Sequence, residues 1–530
     1  MFTRNFHFAM SIAIAVGLSF PLHAQETRQW GEWTSWGEQP DGTYYNPIIP
    51  SDYSDLDCIR VGDDYYAISS TMQFSPGMTL LHSRDLVNWE ICTNIIADLT
   101  QISPELGWQR MNRRGRGVWA GTLRYHNDRF YLFFGTPDEG YFMTSAPKAE
   151  GPWEPLTCLL NEPGWDDCTA AWDEKGNACF VGTHFADGYK TYLFKMSSDG
   201  KSIDRRSAKL INQGNHREAN KLIKVGDWWY LVFSEHQNNI GRYVMAKRSK
   251  KMMGTYKEER QLALASYEAN EPNQGGIIQG KDGNWYFLTH HGKGDWSGRI
   301  VSLLPVNWIE DWPIIGEVLP EKIGTMKWQS PMPAMEEEKL QIQRSDDFDQ
   351  SQLSAQWQWN YQPRADKFSL TERPGWLRLK AFHPIEHNRL LSAGNTLTQR
   401  SFCTPTNCVT VKIDISRMAD GQKAGLCHIS SQSSALGIIQ KNGKRYLEYR
   451  NNDNPTLGKE ILQSYIWLQS KWGLDGKSQF YYSLNGDTFQ AFGEPYQMIW
   501  GNYRGDRIGI YTFNDQKEEG WIDIDYLHYQ

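Results

Sequence analysis

One phrase recurs five times in the first 320 residues: a polar turn runs into a short apolar strand that carries aromatic rings. The last ring of each copy is at Tyr66, Tyr131, Phe180, Tyr230 and Tyr286, at separations of 65, 49, 50 and 56 residues. Repeats of about 50 residues built from short strands are typical of a β-propeller with one blade per repeat. The sequence therefore predicts an all-β fold with a five-bladed β-propeller over residues 25–325. The alternative is a β-sandwich in which the phrase recurs by chance.

Two further segments follow the repeats. Residues 326–344 carry Pro and Glu and predict a linker that wraps between domains. From residue 345 to residue 530 apolar and polar residues alternate without the repeat, as in Val409–Asp414 and Phe480–Leu484. This pattern predicts strands, and the length suits one β-sandwich of the jelly-roll type.

The first 24 residues have a basic start, an apolar stretch and a small residue before a polar segment. This order is typical of a secretory signal peptide, with cleavage near Ala24. We therefore expect the protein to be secreted or periplasmic. No later stretch is apolar and long enough to predict a membrane span.

Charge and cysteine content exclude several classes of function. The net charge is −7 and basic residues form no long run, so nucleic acid is not expected as a partner. The eight cysteines include no C-x-x-C pair, which argues against a metal-thiolate or redox site. The spacing of Cys403 and Cys408 fits a bridged loop, and the sequence leaves this pairing open.

Acidic residues recur where three of the blades begin. They are found at Asp55, Asp167 and Glu218, each close to a candidate innermost strand. Aspartate is common in turns, so one such residue alone indicates a turn or a cap. A propeller brings its innermost strands to one axis, so acids at equivalent points of separate blades meet at its mouth. The three together favour a carboxylate-based active site.

The chain resembles glycoside hydrolase family 43, the five-bladed propellers that include α-L-arabinofuranosidases and β-xylosidases. The resemblance follows an ordered set of motifs along the chain: Asn46–Asp55, Gly117–Ala120, Trp165–Asp167, Glu218 with Lys221-Leu222, Gln274–Gly276, and Gly298-Arg299. The segment after residue 345 is similar to the concanavalin A-like sandwich of the β-xylosidase-type members. The resemblance covers nearly the whole chain after the predicted signal peptide.

The resemblance implies a role for each acid. Asp55 matches the general base, Glu218 the general acid, and Asp167 the carboxylate that raises the pKa of the acid and orients it. The family inverts configuration, so base and acid stand roughly 6.5–9.5 Å apart on opposite faces of the sugar. The neighbouring acids Asp52, Asp57 and Asp166 are the alternatives for these positions.

Three further residues are candidates for substrate contact: Phe74, Trp119 and Arg299. Aromatic rings pack on the C–H face of a sugar, and a guanidinium donates hydrogen bonds to hydroxyl groups. The alternative for Phe74 and Trp119 is that their rings belong to the propeller core. The alternative for Arg299 is that it forms a structural ion pair. His290 and His291 are expected in a loop near the same mouth, without the ligand spacing of a zinc site.

No cofactor is expected to be required. Many family members hold a hydrated cation near the axis beside a histidine, and Asn273 occupies that position here. A structural calcium ion is therefore left open.

The function that the sequence favours is removal of a terminal pentose from plant polysaccharides or their oligosaccharides. The expected sugar is α-L-arabinofuranose, or else β-D-xylose, and the expected polymers are arabinan, arabinoxylan and xylan. Two alternatives belong to other classes, namely a non-catalytic carbohydrate-binding propeller and a protein-interaction propeller. Neither alternative needs three separate carboxylates.

Overall fold

The computed structural model describes residues 36–237, 241–265, 274–292 and 294–530. The predicted signal peptide and Asn273 lie outside the described residues. Within them the regular structure consists of β-strands and five short 3-10 helices, at Leu99–Gln101, Pro104–Leu106, Phe185–Asp187, Ala365–Lys367 and Leu390–Ser392. No helix in this part of the chain has the length and apolar character needed to cross a membrane.

The first domain is the predicted five-bladed propeller. Each blade is an antiparallel sheet in which consecutive strands pair. The strands of blade one are Asp57–Val61, Asp64–Ser69, Gly77–Ser83 and Trp89–Ile96, and those of blade two are Gly121–His126, Arg129–Thr136, Gly140–Ala146 and Thr157–Asn161. Blade three has Trp165–Trp172, Ala178–His184, Lys190–Met196 and Ile203–Asn212. Blade four has Glu218–Val225, Trp228–Gln237, Gly241–Ser249 and Glu258–Ala263, and blade five has Gly275–Gln279, Trp285–His291, Ile300–Ile309 and Trp312–Ile315.

The innermost strand of every blade contacts the innermost strands of both neighbouring blades, so the five strands close a ring. Five separate apolar clusters fill the spaces between adjacent blades. Alternation along one strand supplies two clusters at once: Trp229 and Leu231 pack toward blade three, whereas Tyr230 and Val232 pack toward blade five. A strand with two buried faces needs apolar side chains at successive positions, which explains the recurring aromatic phrase.

Short strands at the edges connect the propeller to the next domain. Gly37–Glu38 pairs with Thr43–Tyr45, which in turn pairs with Gln329–Pro331 from the segment after the blades. Glu317–Val318 and Gly324–Thr325 extend the sheet of blade four. Within the predicted linker, Gln329–Pro331 therefore lies along the propeller domain through backbone pairing.

The second domain is a β-sandwich of two large antiparallel sheets around one extensive apolar core. One sheet contains, in spatial order, Asn454–Glu460, Lys444–Asn451, Ser433–Lys441, Gln422–Ile429, Arg507–Asn514, Leu397–Arg400, Gln358–Asn360 and Phe74–Ser75. The other contains Phe368–Ser369, Leu377–Lys380, Trp521–Tyr529, Asn407–Asp414, Tyr465–Trp472, Lys477–Ser483 and Gln490–Ala491, with Tyr496–Gln497 paired beside it. Cys403 and Cys408 are not joined by a disulfide.

The last strand of the first sandwich sheet belongs to the propeller. Phe74–Ser75 leaves blade one and pairs with Gln358–Asn360 of the sandwich. The ring of Phe74 is 0% exposed and lies between the guanidinium groups of Arg504 and Arg507, 4.2 and 4.0 Å from its centroid. Phe74 is therefore a domain-interface residue, and the expectation that it contacts substrate is corrected.

We expect Phe74→Ala to lower the free energy of unfolding by about 3–5 kcal/mol, because it opens a cavity in a packed interface. It also removes the ring that covers two buried guanidinium groups. Denaturant titration and the thermal midpoint measure the loss, with Tyr125→Ala on the exposed surface of blade two as the control. A variant that keeps its stability and raises KM would show that Phe74 acts in substrate binding.

Candidate active site

A cleft of about 450 Å³ opens at the mouth of the propeller. It is lined by five of the residues singled out in the sequence, namely Asp55, Trp119, Asp167, Glu218 and Arg299. Each of the three acids comes from a different part of the ring: the segment before blade one, blade three and blade four. The fold therefore brings together residues that are more than 160 positions apart in the chain.

Asp55 stands just before the innermost strand of blade one in a left-handed backbone conformation, with φ of 59°. A non-glycine residue rarely adopts this conformation, so the surrounding contacts must hold it. The backbone N–H of Asp55 donates to Nδ1 of His290 at 2.8 Å, and Nη1 of Arg299 donates to Oδ1 of Asp55 at 2.7 Å. These contacts aim the carboxylate into the cleft.

His290 and His291 end the second strand of blade five and are fully buried, so they do not form the loop that the sequence suggested. Burial and the nearby Arg299 lower the pKa of His290 well below its ordinary value. The ring is therefore neutral at neutral pH. A neutral imidazole can accept the hydrogen bond from the Asp55 backbone, whereas a charged one could not.

The acids beside Asp55 have structural partners. Asp57 is buried and accepts hydrogen bonds from Thr122 Oγ1 at 2.6 Å and Arg124 Nη1 at 2.7 Å. Asp52 accepts from the backbone N–H of Arg299 at 2.8 Å. Neither residue lines the cleft. Asp55 is therefore the carboxylate of this segment that a ligand can reach.

Blades three and four share a local irregularity that places the other two acids. In each blade the register of the innermost strand shifts near its start, between Asp166 and Thr169 and between Glu218 and Lys221. Within these bulges Asp167 has φ of 43° and Ala219 has φ of 65°. Bulges bend a strand and redirect its side chains, and they are common beside active sites.

The two bulges are joined by a hydrogen bond. The backbone N–H of Ala219 donates to Oδ2 of Asp167 at 2.8 Å, and Nε2 of Gln274 from blade five donates to Oδ1 at 2.8 Å. Both oxygens of Asp167 therefore accept from neutral N–H groups. Hydrogen bonds of this kind stabilise the ionised carboxylate.

Glu218 forms an ion pair with Arg242, whose Nη1 also donates to the backbone oxygen of His216 at 2.9 Å. Burial raises the pKa of Glu218 to about 7, with further contributions from Asp167 and Asp55, while Arg242 and Arg299 oppose the shift. The side chain keeps 26% of its surface exposed in the cleft, so a substrate atom can reach it. A carboxyl with this pKa is largely protonated below pH 7 and can act as an acid.

Lys221 lies on the axis, three residues after Glu218, and is only 1% exposed. Its Nζ donates to the backbone oxygen of Gly121 at 2.9 Å and so connects blade four to blade two across the ring. Burial raises the pKa of Asp167, and the positive charge of Lys221 is the first of the groups that oppose this shift.

The axis does not fit the calcium ion that the resemblance left open. A divalent cation there would meet the buried ammonium of Lys221, which repels it. Within the described ranges, no group of three or more His, Cys, Asp or Glu side chains could hold a metal ion. The positive charge near Asp167 is thus supplied by the chain itself.

Aromatic rings form one wall of the cleft. Trp119 lies 6.2 Å from Phe185 and 5.8 Å from Tyr503, measured between ring centroids. Tyr503 belongs to the sandwich, is half exposed, and also lies beside the guanidinium of Arg299. The second domain therefore supplies part of the cleft wall.

Arg242, Lys221 and Tyr503 are site residues that the sequence analysis did not identify as such. Gln274 was quoted only as part of a motif, and its direct contact with Asp167 comes from the structure. Lys221 also stands in a quoted motif, and its position three residues after Glu218 at the start of a predicted innermost strand was the signal that could have identified it. Arg242 and Tyr503 have no local signal, because one lies in an ordinary strand and the other in a sandwich loop.

Comparison with known proteins agrees with this geometry. The profile described as "Glycosyl hydrolases family 43" matches residues 44–313, and "Beta xylosidase C-terminal Concanavalin A-like domain" matches residues 345–530. The chain belongs to glycoside hydrolase family 43.

Relatives within family 43 cover almost the whole chain. A β-xylosidase of Formosa agariphila is 30% identical over 548 residues, which cover 93% of this chain and 91% of the relative. A non-reducing end α-L-arabinofuranosidase of Bacteroides ovatus is 28% identical over 533 residues, which cover 92% and 95% of the two chains. The family 43 member described here is therefore an exo-acting glycoside hydrolase.

Solved family 43 structures share the two-domain fold. A bifunctional GH43-CE protein of Bacteroides eggerthii superposes with a TM-score of 0.81 at 28% identity, and the match covers 92% of this chain. This chain spans 63% of that longer protein. A xylan β-1,4-xylosidase from Bacillus halodurans, at 23% identity, has a TM-score of 0.77, with 92% and 99% of the two chains covered.

We expect Arg242→Gln to move the alkaline limb of the pH profile of kcat/KM upward by about one pH unit. Arg242 stabilises the ionised form of Glu218, so its removal raises the pKa of Glu218 and keeps the acid protonated to higher pH. Arg248→Gln, on the same strand and paired with Glu258, is the matched control. A limb that stays in place or moves downward would contradict this account of Glu218.

Proposed function

We propose that the enzyme removes single terminal pentoses from the non-reducing ends of plant polysaccharides and their oligosaccharides, with inversion at the anomeric carbon. The observation that carries this proposal is the arrangement of Asp55 and Glu218. Each is reachable from one cleft, each has its own guanidinium partner, and Asp167 lies buried beside them. Pure binding of a sugar needs rings and hydrogen bonds, but it does not need this distribution of charge.

In the proposed reaction Asp55 is the general base. It takes a proton from a water molecule, and the water oxygen attacks the anomeric carbon on the face opposite the leaving group. The hydrogen bond from Arg299 holds the carboxyl of Asp55 in the cleft, where it can reach this water molecule.

Glu218 is the proposed general acid. As the bond between the anomeric carbon and the glycosidic oxygen breaks, Glu218 gives its proton to that oxygen and becomes a carboxylate. Asp167 supports this role because its negative charge raises the pKa of Glu218. The hydrogen bond from Ala219 to Asp167 also fixes the backbone next to the acid.

The aromatic wall is proposed to bind the sugar ring or its neighbour. Trp119 and Tyr503 offer ring surface to the C–H face of a pyranose or furanose. Both β-D-xylose and α-L-arabinofuranose remain in the proposal, with xylan, arabinoxylan and arabinan as the polymers. The relative from Formosa agariphila, which is 30% identical, is named as a β-xylosidase, and this name favours xylose as the sugar.

We expect Glu218→Gln to reduce kcat/KM on xylo-oligosaccharides by roughly 10²–10⁴-fold, the usual contribution of a general acid. The loss should be much smaller on a dinitrophenyl glycoside, whose leaving group departs without a proton. Asp55→Asn should abolish turnover of both substrates, since both need an activated water. Asp128→Asn, in a turn of blade two, is the control. Full activity in either active-site variant would exclude the assigned roles.

Proton NMR of the first product tests the sugar and the stereochemistry together. With a β-D-xyloside we expect α-xylose to appear before mutarotation, and with an α-L-arabinofuranoside the β-anomer. Release of the retained anomer would contradict the mechanism. Binding of xylan or arabinan without release of any pentose would support the rival proposal of a carbohydrate-binding propeller.

A further inference from the structure

Asp166 and Asp167 are neighbours in the chain and both line the cleft, yet their surroundings are opposite. Asp167 accepts two hydrogen bonds from N–H groups, each at 2.8 Å, and faces the ammonium of Lys221. Oδ1 of Asp166 is buried and has no hydrogen-bond partner among the described residues. Asp167 therefore has more of the donors that stabilise a carboxylate, whereas Asp166 has only the backbone N–H of Asp167.

Acidic groups from several parts of the ring surround Asp166. The titratable groups that face it come from the segment before blade one and from blades two, three and four: Asp55, Tyr141, Asp167, Cys168, Tyr189 and Glu218. Each of these groups becomes negative when it loses a proton. Burial is the largest cause that raises the pKa of Asp166, and Asp167 is the next, while the N–H of Asp167 opposes them.

The cations of the cleft are held by other acids. Arg299 pairs with Asp55, Arg242 pairs with Glu218, and Arg116 pairs with Asp138. Two adjacent carboxyls in a buried site do not both ionise, and the one with the donors keeps the charge. Burial also raises the pKa of Asp167, but its two hydrogen bonds and Lys221 favour its charged form, and Asp166 has no comparable set of partners.

We propose that Asp166 is a substrate-binding residue that remains a neutral carboxylic acid and donates a hydrogen bond to a hydroxyl oxygen of the sugar in the cleft. This inference rests on the proposed function, because it requires a pentose between the three other acids. A carboxylate only accepts hydrogen bonds, and the proton of Glu218 goes to the glycosidic oxygen in the proposed reaction, whereas a protonated Asp166 can donate to a hydroxyl. A sugar hydroxyl that gives its hydrogen to a carboxylate still needs a donor for its oxygen, and Asp166 provides it.

Two substitutions distinguish whether Asp166 acts as a neutral acid or as a charged carboxylate. Asp166→Asn keeps the size and a donor, so we expect both limbs of the pH profile to stay in place, and we expect kcat/KM to fall less than in a variant without polar atoms. Asp166→Leu keeps a similar size but removes the polar atoms. We expect it to lower kcat/KM by roughly 10- to 100-fold, because the hydroxyl is left unpaired in a buried site.

Monodeoxy aryl pentosides identify the contact. The deoxy substrate that lacks the hydroxyl bound by Asp166 should react more slowly than its parent with the wild type, and at nearly the same rate as its parent with Asp166→Leu. For each of the other deoxy substrates, the ratio of its rate to that of the parent substrate should be the same in the wild type and in Asp166→Leu. Difference infrared spectra of the wild type and Asp166→Asn should show the band of a protonated carboxyl at pH 7.

Asp167→Asn is the matched comparison at the neighbouring position. It should lower activity by at least about 100-fold and move the alkaline limb to lower pH, because Glu218 loses the negative charge that raises its pKa. The proposal is overturned if Asp166→Asn shifts the pH profile, or if a correctly folded Asp166→Leu keeps full kcat/KM. A wild-type enzyme without activity on any pentoside would instead refute the proposed function.

Discussion

The burial of several carboxyl groups at one end of the propeller is the constraint on which the rest of the site depends. Like charges at short range in a medium of low dielectric constant are costly, so each acid needs a compensating partner of its own. Asp55 pairs with Arg299, and Glu218 pairs with Arg242. Asp167 accepts hydrogen bonds from N–H groups and lies near the positive charge of Lys221. The partners are unequal, so the acids have different surroundings although they share one cleft.

This arrangement requires strained backbone conformations at several residues. Asp55, Asp167 and Ala219 all have positive φ, and the last two lie in bulges of adjacent innermost strands. A regular strand would send alternate side chains into the spaces between blades, where an acid could not be tolerated. The bulges turn the acids toward the mouth instead, and the apolar clusters on both sides of each blade hold the strained turns in place.

The sequence predicted the blades because their aromatic phrases are local, and it predicted the acids because they begin three of the blades. It could not predict which neighbouring blade each side chain packs against. Phe180 packs toward blade two, whereas the adjacent Cys179 packs toward blade four. Phe74 was misjudged because its strand leaves the blade to join the sandwich. Arg242 and Tyr503 are set by tertiary contacts that no local pattern records.

The sandwich contacts the segment that carries Asp55, and it also forms part of the cleft wall. The backbone oxygen of Asp52 accepts from Nε of Arg400 in the sandwich at 2.7 Å, and its carboxylate accepts from the backbone of Arg299 at 2.8 Å. Arg299 in turn holds Asp55 through its side chain. A displacement of the sandwich would therefore reach the proposed base through Asp52 and Arg299. The second domain therefore helps to fix the geometry around Asp55, and through Tyr503 it also forms part of the cleft wall.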